Sequence, residues 1–309
     1  MKEERNKPRL VILGGGAVGS VIAAALATKP GLEPLLVGRG EHVRAIRASG
    51  LRVDGLIDVP IRLDATEAID FPLDDTLLMV TVKAVDLDAA LRRIAPWLRP
   101  TTALLLLQNG LGIRELALKT LAGSPVPPDQ VFIGIVAIGA TFIGPGQVRC
   151  FGGNIRLEPA FTATPWFDRL HGLKPRFEAS RDIVRDQWTK LLVNAVINPL
   201  SVILQGHNRL VAEERFDALK DPILAEGVAV AAAEGVELTI DAAFINRFVS
   251  SDNITSMLQD FRRNKPTEID FINGAIVERG RKHGIAAPVN AFVVALIKAL
   301  AARQAEQKT

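Results

Sequence analysis

The chain has 309 residues, of which 48% are hydrophobic and 23% are charged, so we expect two folded domains and exclude a disordered or collagen-like chain. The 37 basic and 34 acidic residues leave a net charge of +3, and the charged residues are scattered along the chain, which does not favour nucleic acid as a partner. One cysteine and four histidines are too few for a Cys/His metal site, and the absence of tyrosine excludes a tyrosine general acid. A lone cysteine fits a reducing compartment, so we expect a cytoplasmic protein without a metal.

The first apolar stretch contains a glycine-rich motif. Residues 10–28 carry no charge and could imitate a membrane span or signal peptide, but three consecutive glycines interrupt them. Gly14-Gly15-Gly16-Ala17-Val18-Gly19 fits G-x-G-x-x-G between an apolar run and a helical stretch. Such a loop binds the pyrophosphate of a dinucleotide at a helix N-terminus. We therefore predict a strand, a tight turn and a helix, the alternative being a purely structural glycine turn.

The pattern of apolar residues changes near residue 180. Before it, short apolar runs alternate with helical stretches, which predicts parallel βαβ units. The predicted strands are Leu10–Leu13, Leu35–Val37, Leu77–Val82, Thr102–Leu107 and Val131–Ile138, with a hairpin at Leu51–Leu63. The predicted helices after it are Ile183–Leu204, Pro222–Glu234, Thr267–His283 and Pro288–Gln304. We therefore predict an α/β domain over residues 1–180 and an all-α domain over residues 181–309.

Polar residues follow three predicted strands, where an open parallel sheet binds its ligand. Arg39 stands near the position at which NAD-binding folds place an acid, and an arginine there favours the 2′-phosphate of NADP. Lys83 and Asn109 could contact cofactor or substrate. The alternatives are a solvated arginine, a surface lysine and a turn asparagine.

One predicted helix carries a polar face within an apolar sequence. Lys190, Asn194 and Asn198 stand at i, i+4 and i+8, so they share that face and either line a cleft or pair inside the core. A lysine among apolar residues loses preference for its charged form, which suits a general acid. Pro199 lacks an N–H, so the carbonyl four residues earlier loses its helical donor and a bend is expected.

Two further sets of residues have ordinary structural interpretations. Thr267 and Asp270 resemble a helix capping box with Glu268 in the first turn, so local structure alone could account for them. We expect most of the histidines at the surface and Cys150 as a buried small residue.

Five segments together resemble the ketopantoate reductase family over nearly the whole chain. They are GGGAVGS, the VKA around Lys83, the LQNGLG around Asn109, WTKLLVNAVINPLS and SMLQDFRRNKPTEIDFING. The resemblance implies a Rossmann-type domain followed by a helical domain like that of 6-phosphogluconate dehydrogenase, with NADPH and a 2-oxo acid in the cleft between them. It also implies reduction of 2-dehydropantoate to (R)-pantoate in pantothenate and coenzyme A biosynthesis, and allows for a homodimer.

The same resemblance assigns expected roles motif by motif. Lys190 matches the proton donor, and Glu268 is the second expected catalytic residue. The expected substrate contacts are Asn109, Asn194, Asn198, Asn208 and Ser256. The expected cofactor contacts are Gly14, Gly15, Gly16, Ala17, Val18, Gly19, Arg39, Lys83, Asn109, Ala140 and Glu268. The alternative functions are reduction of another branched 2-oxo acid, a non-catalytic NADP-binding sensor or interaction protein, and a Rossmann-like methyltransferase.

Overall fold

The computed structural model describes residues 9–249 and 253–307, and these form two compact units. The first unit contains the chain up to Gln108 together with Ile113–Ile183, and the second contains Asn109–Gly112 and the chain from Val184 onward. Within the described ranges, no helix combines the length and apolar character that a membrane crossing requires. Nor do these ranges contain three His, Cys, Asp or Glu side chains grouped to hold a metal ion.

A ten-stranded sheet forms the centre of the first unit. Its strands are β1 (Arg9–Leu13), β2 (Pro34–Val37), β3 (Leu51–Asp54), β4 (Ile57–Ile61), β5 (Asp64–Thr66), β6 (Thr76–Val80), β7 (Ala103–Leu106), β8 (Val131–Gly144), β9 (Gln147–Leu157) and β10 (Arg176–Ala179). Six strands run parallel in the order β5-β2-β1-β6-β7-β8, which corresponds to the 3-2-1-4-5-6 order of dinucleotide-binding folds. The order reverses between β1 and β6, where such sheets bind ligands.

Apolar sequence and helices bury this sheet. Every residue of β6 and β7 is buried, as expected for central strands covered on both faces. The helices of the unit are α1 (Ala17–Ala27), α2 (Gly40–Ser49), α3 (Leu87–Ile94), α4 (Ile113–Thr120), α5 (Pro159–Thr162) and α6 (Pro165–Leu170). Because α1 is buried from Gly19 to Leu26, the glycine-rich motif is anchored to the core.

Two details of the predicted strands can be compared with this sheet. The expected hairpin is confirmed, since β3 and β4 pair antiparallel across a turn in which Gly55 has a φ of 82°. The last predicted strand extends beyond Ile138 to Gly144. It is longer because β8 first pairs parallel with β7 and then continues as the antiparallel partner of β9.

In the described part of the second unit the α-helices are joined by loops and short 3-10 turns, and no strand occurs. They are α7 (Ile183–Leu204), α8 (Asn208–Val211), α9 (Asp217–Ala233), α10 (Ala242–Phe248), α11 (Ser256–Arg262), α12 (Asn273–Lys282) and α13 (Pro288–Glu306). A separate apolar core includes Trp188, Val196 and Ile276, which are all buried. The predicted fold class, a Rossmann-type N-terminal domain followed by an all-α domain, is confirmed.

The helix predicted over Thr267–His283 is wrong in its first turn and a half. Residues Ile269–Phe271 form a 3-10 turn, Ile272 leaves the helical conformation, and α12 begins only at Asn273. The carbonyl of Phe271 accepts a hydrogen bond from the N–H of Leu111 at 3.1 Å, so a tertiary contact replaces the intrahelical one.

The capping-box interpretation of the same segment is also wrong. Because the helix starts later than expected, Thr267 and Asp270 do not flank its first turn. Asp270 forms an ion pair with Lys298 at 2.7 Å, and Glu268 is buried with 4% of its surface exposed. Local helix chemistry therefore does not account for the acid at position 268.

Candidate active site

The glycine-rich motif forms a tight turn between β1 and α1. Gly14 has a φ of 129°, a conformation that side chains rarely adopt, and a Cβ atom there would lie 2.6 Å from the backbone nitrogen of Val82. A Cβ atom on Gly19 would overlap the carbonyl oxygen of Gly14. These two glycines are therefore required by the fold of the turn itself.

Gly16 is different, because the protein does not fill the space beside it. A Cβ atom on Gly16 would meet no described atom within 4 Å. The residue is the N-cap of the 11-residue helix α1, and no side chain there caps the first-turn N–H groups. Ala17 and Val18 form that first turn. Open space beside unsatisfied N–H groups at the positive end of a helix fits the pyrophosphate of a dinucleotide.

The ends of β6 and β7 lie beside this turn and are fixed by side chains. The hydroxyl of Thr81 donates to the carbonyl of Gly14 at 2.8 Å. Gln108 donates from Nε2 to the carbonyls of Val80 and Val82 at 2.8 and 3.1 Å. Lys83 follows directly and is half-buried. The loop after β6 is thereby held at the point where the strand order reverses.

Two other expected cofactor contacts also belong to the first unit. Arg39 follows β2, is exposed and is the N-cap residue of α2. Ala140 is half-buried on β8 and pairs with Cys150 of β9, which is buried as expected.

A buried histidine, which the sequence pattern did not predict, supports the glycine-rich turn. Three histidines are exposed as expected, but His42 on α2 is 3% exposed. Its Nδ1 accepts from the N–H of Gly146, so its Nε2 carries the proton and donates to the hydroxyl of Ser20 on α1, each at 2.9 Å. Burial lowers the pKa of His42, which keeps the ring neutral. One imidazole therefore joins α1, α2 and the turn after β8.

The polar face predicted on one long helix belongs to α7 in the second unit. Lys190 and Asn194 are half-buried and Asn198 is buried, at successive turns of one helix face. Burial lowers the pKa of Lys190 to about 8, while the negative charge of Glu268 acts to raise it. A lysine with this pKa exchanges a proton near neutral pH, as a general acid must.

Glu268 connects this lysine to Asn109. Asn109 donates from Nδ2 to Oε2 of Glu268 at 3.0 Å. Gly110 has a φ of 96°, and a Cβ atom there would overlap the carbonyl oxygen of Phe271. That close approach, together with the hydrogen bond from Leu111 to Phe271, holds the Asn109–Gly112 segment against the residues after Glu268.

The remaining expected substrate contacts lie near the C-terminal half of α7. Ser201 contacts Thr255 between hydroxyl oxygens at 2.5 Å, and Thr255 caps α11, whose first residue is Ser256. Asn208 begins α8, and its N–H donates to the carbonyl of Asn253 at 2.9 Å. The second unit thus places Glu268 where its charge acts on Lys190 and where it accepts from Asn109, and it brings the start of α11 to the turn of α7 that follows Asn198.

Two buried asparagines of the second unit also escaped the sequence analysis. Asn273 and Asn290 are fully buried and hydrogen-bonded to each other, with Asn273 donating from Nδ2 to Oδ1 of Asn290 at 3.0 Å. Asn273 also donates to the carbonyl of Ala195 at 3.0 Å. The proline at position 199 was the available signal, since it predicts a carbonyl on α7 that needs a donor from elsewhere.

Comparison with known families gives matches over both units. A family model described as "Ketopantoate reductase PanE/ApbA" matches residues 10–159, and one described as "Ketopantoate reductase PanE/ApbA C terminal" matches residues 182–301. The chain is 33% identical to a 2-dehydropantoate 2-reductase of Pyrococcus horikoshii, with 94% of this chain and 97% of the relative covered. It is also 33% identical to a 2-dehydropantoate 2-reductase of Vibrio cholerae, with the same coverage.

Solved structures show the same similarity. A PanE/ApbA family ketopantoate reductase from Ralstonia eutropha is 32% identical, with a TM-score of 0.83 and coverage of 96% of this chain and 99% of that one. A D-mandelate dehydrogenase, solved with NADH and anilino(oxo)acetate, is 29% identical with the same TM-score and coverage. The chain belongs to the ketopantoate reductase family of nicotinamide-dinucleotide-dependent oxidoreductases.

Proposed function

We propose that this protein is an NADP-dependent 2-dehydropantoate 2-reductase, which reduces 2-dehydropantoate to (R)-pantoate with Lys190 as proton donor. The observation that carries the proposal is the environment of Lys190, which is half-buried, has a pKa lowered to about 8 by burial and interacts with Glu268. Relatives named 2-dehydropantoate 2-reductase, matched over 97% of their own length, support the choice of substrate.

The proposal also names the residues that would bind NADP. Gly14–Gly19 would hold the pyrophosphate, because the space beside Gly16 is open and the N-terminus of α1 faces it. Arg39 would pair with the 2′-phosphate of NADP. The other contacts in this proposal are Lys83, Asn109, Ala140 and Glu268. When bound, the reduced nicotinamide supplies the hydride that a 2-oxo acid accepts at C2.

Lys190 would donate the proton that the reaction requires. As the carbonyl carbon is reduced, negative charge develops on the ketone oxygen, and a nearby ammonium group stabilises that charge and then neutralises it. With a pKa of about 8, roughly nine in ten Lys190 side chains are protonated at pH 7. Burial favours the neutral amine that remains, so the proton transfer is not opposed by the surroundings.

Neutral side chains would orient the substrate beside this lysine. Asn194 and Asn198 lie on the same face of α7, and their amides can hydrogen-bond a carboxylate or hydroxyl without adding charge. Ser256, Asn208 and Asn109 complete the proposed set of substrate contacts. Holding the 2-oxo acid in one orientation determines which face of C2 is reduced.

A second candidate is reduction of another branched 2-oxo acid. The structural similarity to a D-mandelate dehydrogenase solved with NADH favours it, because that relative matches this chain with a TM-score of 0.83. The same lysine chemistry serves both candidates, and the substrate side chain distinguishes them.

The test is NADPH oxidation with 2-dehydropantoate, measured beside NADH and simpler 2-oxo acids for the wild type and Lys190→Ala. The proposal expects NADPH-dependent turnover that is lost in the variant. Turnover only with another 2-oxo acid would retain the role of Lys190 and reject the substrate. Cofactor binding without turnover on any 2-oxo acid would favour the sensor.

The expected homodimer stays a prediction, which light scattering after size-exclusion chromatography measures.

A further inference from the structure

A proline in the middle of α7 leaves one backbone carbonyl without its helical donor. The helix continues from Ile183 to Leu204 through Pro199. In an α-helix the N–H of residue 199 would donate to the carbonyl of Ala195, but proline has no N–H. Ala195 is fully buried, so its carbonyl needs a partner within the protein.

That partner is the side chain of Asn273. Its Nδ2 lies 3.0 Å from the carbonyl oxygen of Ala195. A carbonyl oxygen only accepts, so the atom facing it is the amide nitrogen and the orientation of Asn273 is settled by chemistry. The second hydrogen of the same Nδ2 is donated to Oδ1 of Asn290. Both hydrogens of the Asn273 amide are thereby used.

Asn290 carries the connection to a third helix. Its Nδ2 donates to the carbonyl of Ile223 at 3.1 Å and to Oε2 of Glu226 at 2.8 Å, both on α9. Glu226 in turn accepts from the backbone N–H groups of Val289 and Asn290 at the start of α13. Asn273 and Asn290 are fully buried, so water does not compete for these hydrogen bonds.

We propose that Asn273 is a positioning residue for the candidate active site. Its side-chain amide takes the place of the N–H that Pro199 lacks, and it fastens α7 to the segment that carries Glu268. Ala195 lies one residue after Asn194, and Asn273 lies five residues after Glu268. The inference rests on the proposed role of Lys190, because its consequence is the placement of that lysine relative to Glu268.

The proline itself provides the sharpest test. Pro199→Ala supplies a backbone N–H at position 199, which can donate to Ala195 as in an ordinary helix. If Asn273 acts through that carbonyl, its loss matters in the wild type and matters much less when the N–H is present. The comparison therefore uses Asn273→Ala, Pro199→Ala and the double variant, in the manner of a double-mutant cycle.

Turnover is the first readout. We expect Asn273→Ala to lower kcat by about 10-fold or more, since small misplacements of reacting groups have effects of this size. In the Pro199→Ala background the same substitution should lower kcat by less than about 3-fold, because the coupling is removed. An equal loss of kcat in both backgrounds, or no loss in either, would overturn the proposal.

The second readout needs neither substrate nor cofactor. An amine-reactive acylating reagent, with peptide mass spectrometry, measures the pH at which Lys190 is half-reactive. In Asn273→Ala this pH should fall below the wild-type value, because Glu268 is the group that raises the pKa of Lys190. It should return in the double variant. An unchanged or higher value in Asn273→Ala would overturn the proposal. If the wild type reduces no 2-oxo acid, the proposed function fails while this measurement still tests Asn273.

A matched control separates positioning from stability. Asn246 is a half-buried asparagine of the second unit that lies outside this network and donates to Asp217 at 3.0 Å. Asn246→Ala should lower the free energy of unfolding without changing the half-reactive pH of Lys190, and Pro199→Ala should not rescue it. If Asn273→Ala does not fold, the double variant is compared with Pro199→Ala alone. A double variant that also fails to fold would count against the proposal.

Discussion

The side-chain amide of Asn109 donates to the carboxylate of Glu268 at 3.0 Å, although 159 positions separate the two residues in the chain. Glu268 is buried, and it is the group whose charge raises the pKa of Lys190 against the effect of burial. The protonation of Lys190 thus depends on the carboxylate of Glu268, which Asn109 holds in place by its hydrogen bond. The pH dependence of turnover should therefore report the protonation of Lys190.

The wild-type enzyme should lose activity on the alkaline side. Lys190 must be protonated to donate, and its pKa is about 8, so kcat for reduction should be constant below that pH. Above it, kcat should fall about tenfold per pH unit. Steady-state rates from pH 6 to 10 measure the profile, with cofactor binding followed over the same range as a control. A kcat that is flat to pH 10 would contradict the role of Lys190.

Glu268→Gln should move that profile toward lower pH. The substitution removes the charge that raises the pKa of Lys190 but leaves an oxygen that can accept from Asn109. Loss of a neighbouring opposite charge lowers a lysine pKa by about one unit or more. Glu278→Gln is the control, since that carboxylate is exposed and pairs with Lys282. The same profile in both variants would show that Glu268 does not act on the lysine.

Gly16→Ala and Gly19→Ala should separate cofactor binding from folding. A Cβ atom meets open space at Gly16, so alanine there should change the free energy of unfolding by less than about 1 kcal/mol while weakening NADPH binding. At Gly19 it would overlap the carbonyl of Gly14, so alanine should destabilise the protein by about 1–3 kcal/mol. Chemical denaturation and NADPH fluorescence titration measure the two effects. Wild-type cofactor affinity in Gly16→Ala would reject the assigned pyrophosphate site.

Substituting Arg39 should change the preference between the two cofactors. Arg39→Ala removes the guanidinium proposed for the 2′-phosphate, so the KM for NADPH should rise about tenfold or more while that for NADH stays near its original value. Arg47→Ala is the matched control, because Arg47 is an exposed arginine of α2 whose Nε donates to the carbonyl of Ala65 at 2.8 Å. Equal increases in KM for NADPH and NADH in Arg39→Ala would mean that Arg39 does not bind the 2′-phosphate.

His42 should make the stability of the protein sensitive to acid. Burial lowers its pKa in the folded protein, so below about pH 6.5 the unfolded chain binds a proton that the folded protein does not. The contribution of His42 to the free energy of unfolding should therefore be greatest above that pH and should decrease as the pH falls. Denaturation at pH 7.5 and 5.5 should show a smaller decrease in His42→Gln than in the wild type. His171→Gln, which changes an exposed histidine, should keep the wild-type decrease.

Much of this molecule could be predicted from local patterns. The glycine motif, the buried strands and the polar face of α7 each depend on residues that lie close together in the chain, and the structure places them as elements of the expected kinds. The start of α12 could not be predicted in this way. Its sequence resembles a capping box at Thr267, but in the folded chain the carbonyl of Phe271 accepts from the N–H of Leu111 and α12 starts at Asn273.

The connections around the site were beyond prediction for a similar reason. Pro199 predicts that the carbonyl of Ala195 lacks a helical donor. No local rule identifies Asn273, which lies 78 positions from Ala195, as the replacement donor. His42 likewise looks like any polar residue of an amphipathic helix until Ser20 and Gly146 surround it. In each case the missing information is a long-range pairing, which depends on the folded chain.

The assignment of residues Asn109–Gly112 to the second unit bears on how the protein is made. Asn109 is synthesised 159 residues before Glu268, which at translation rates of roughly 5–20 residues per second is a delay of about 8–30 s. During that interval Asn109 lacks Glu268, and Gly110 and Leu111 lack Phe271. A gene fragment encoding only the chain from Val184 onward would contain Glu268 but not Asn109, so cutting this protein at its domain boundary would place the acceptor and the donor of this hydrogen bond on two polypeptides.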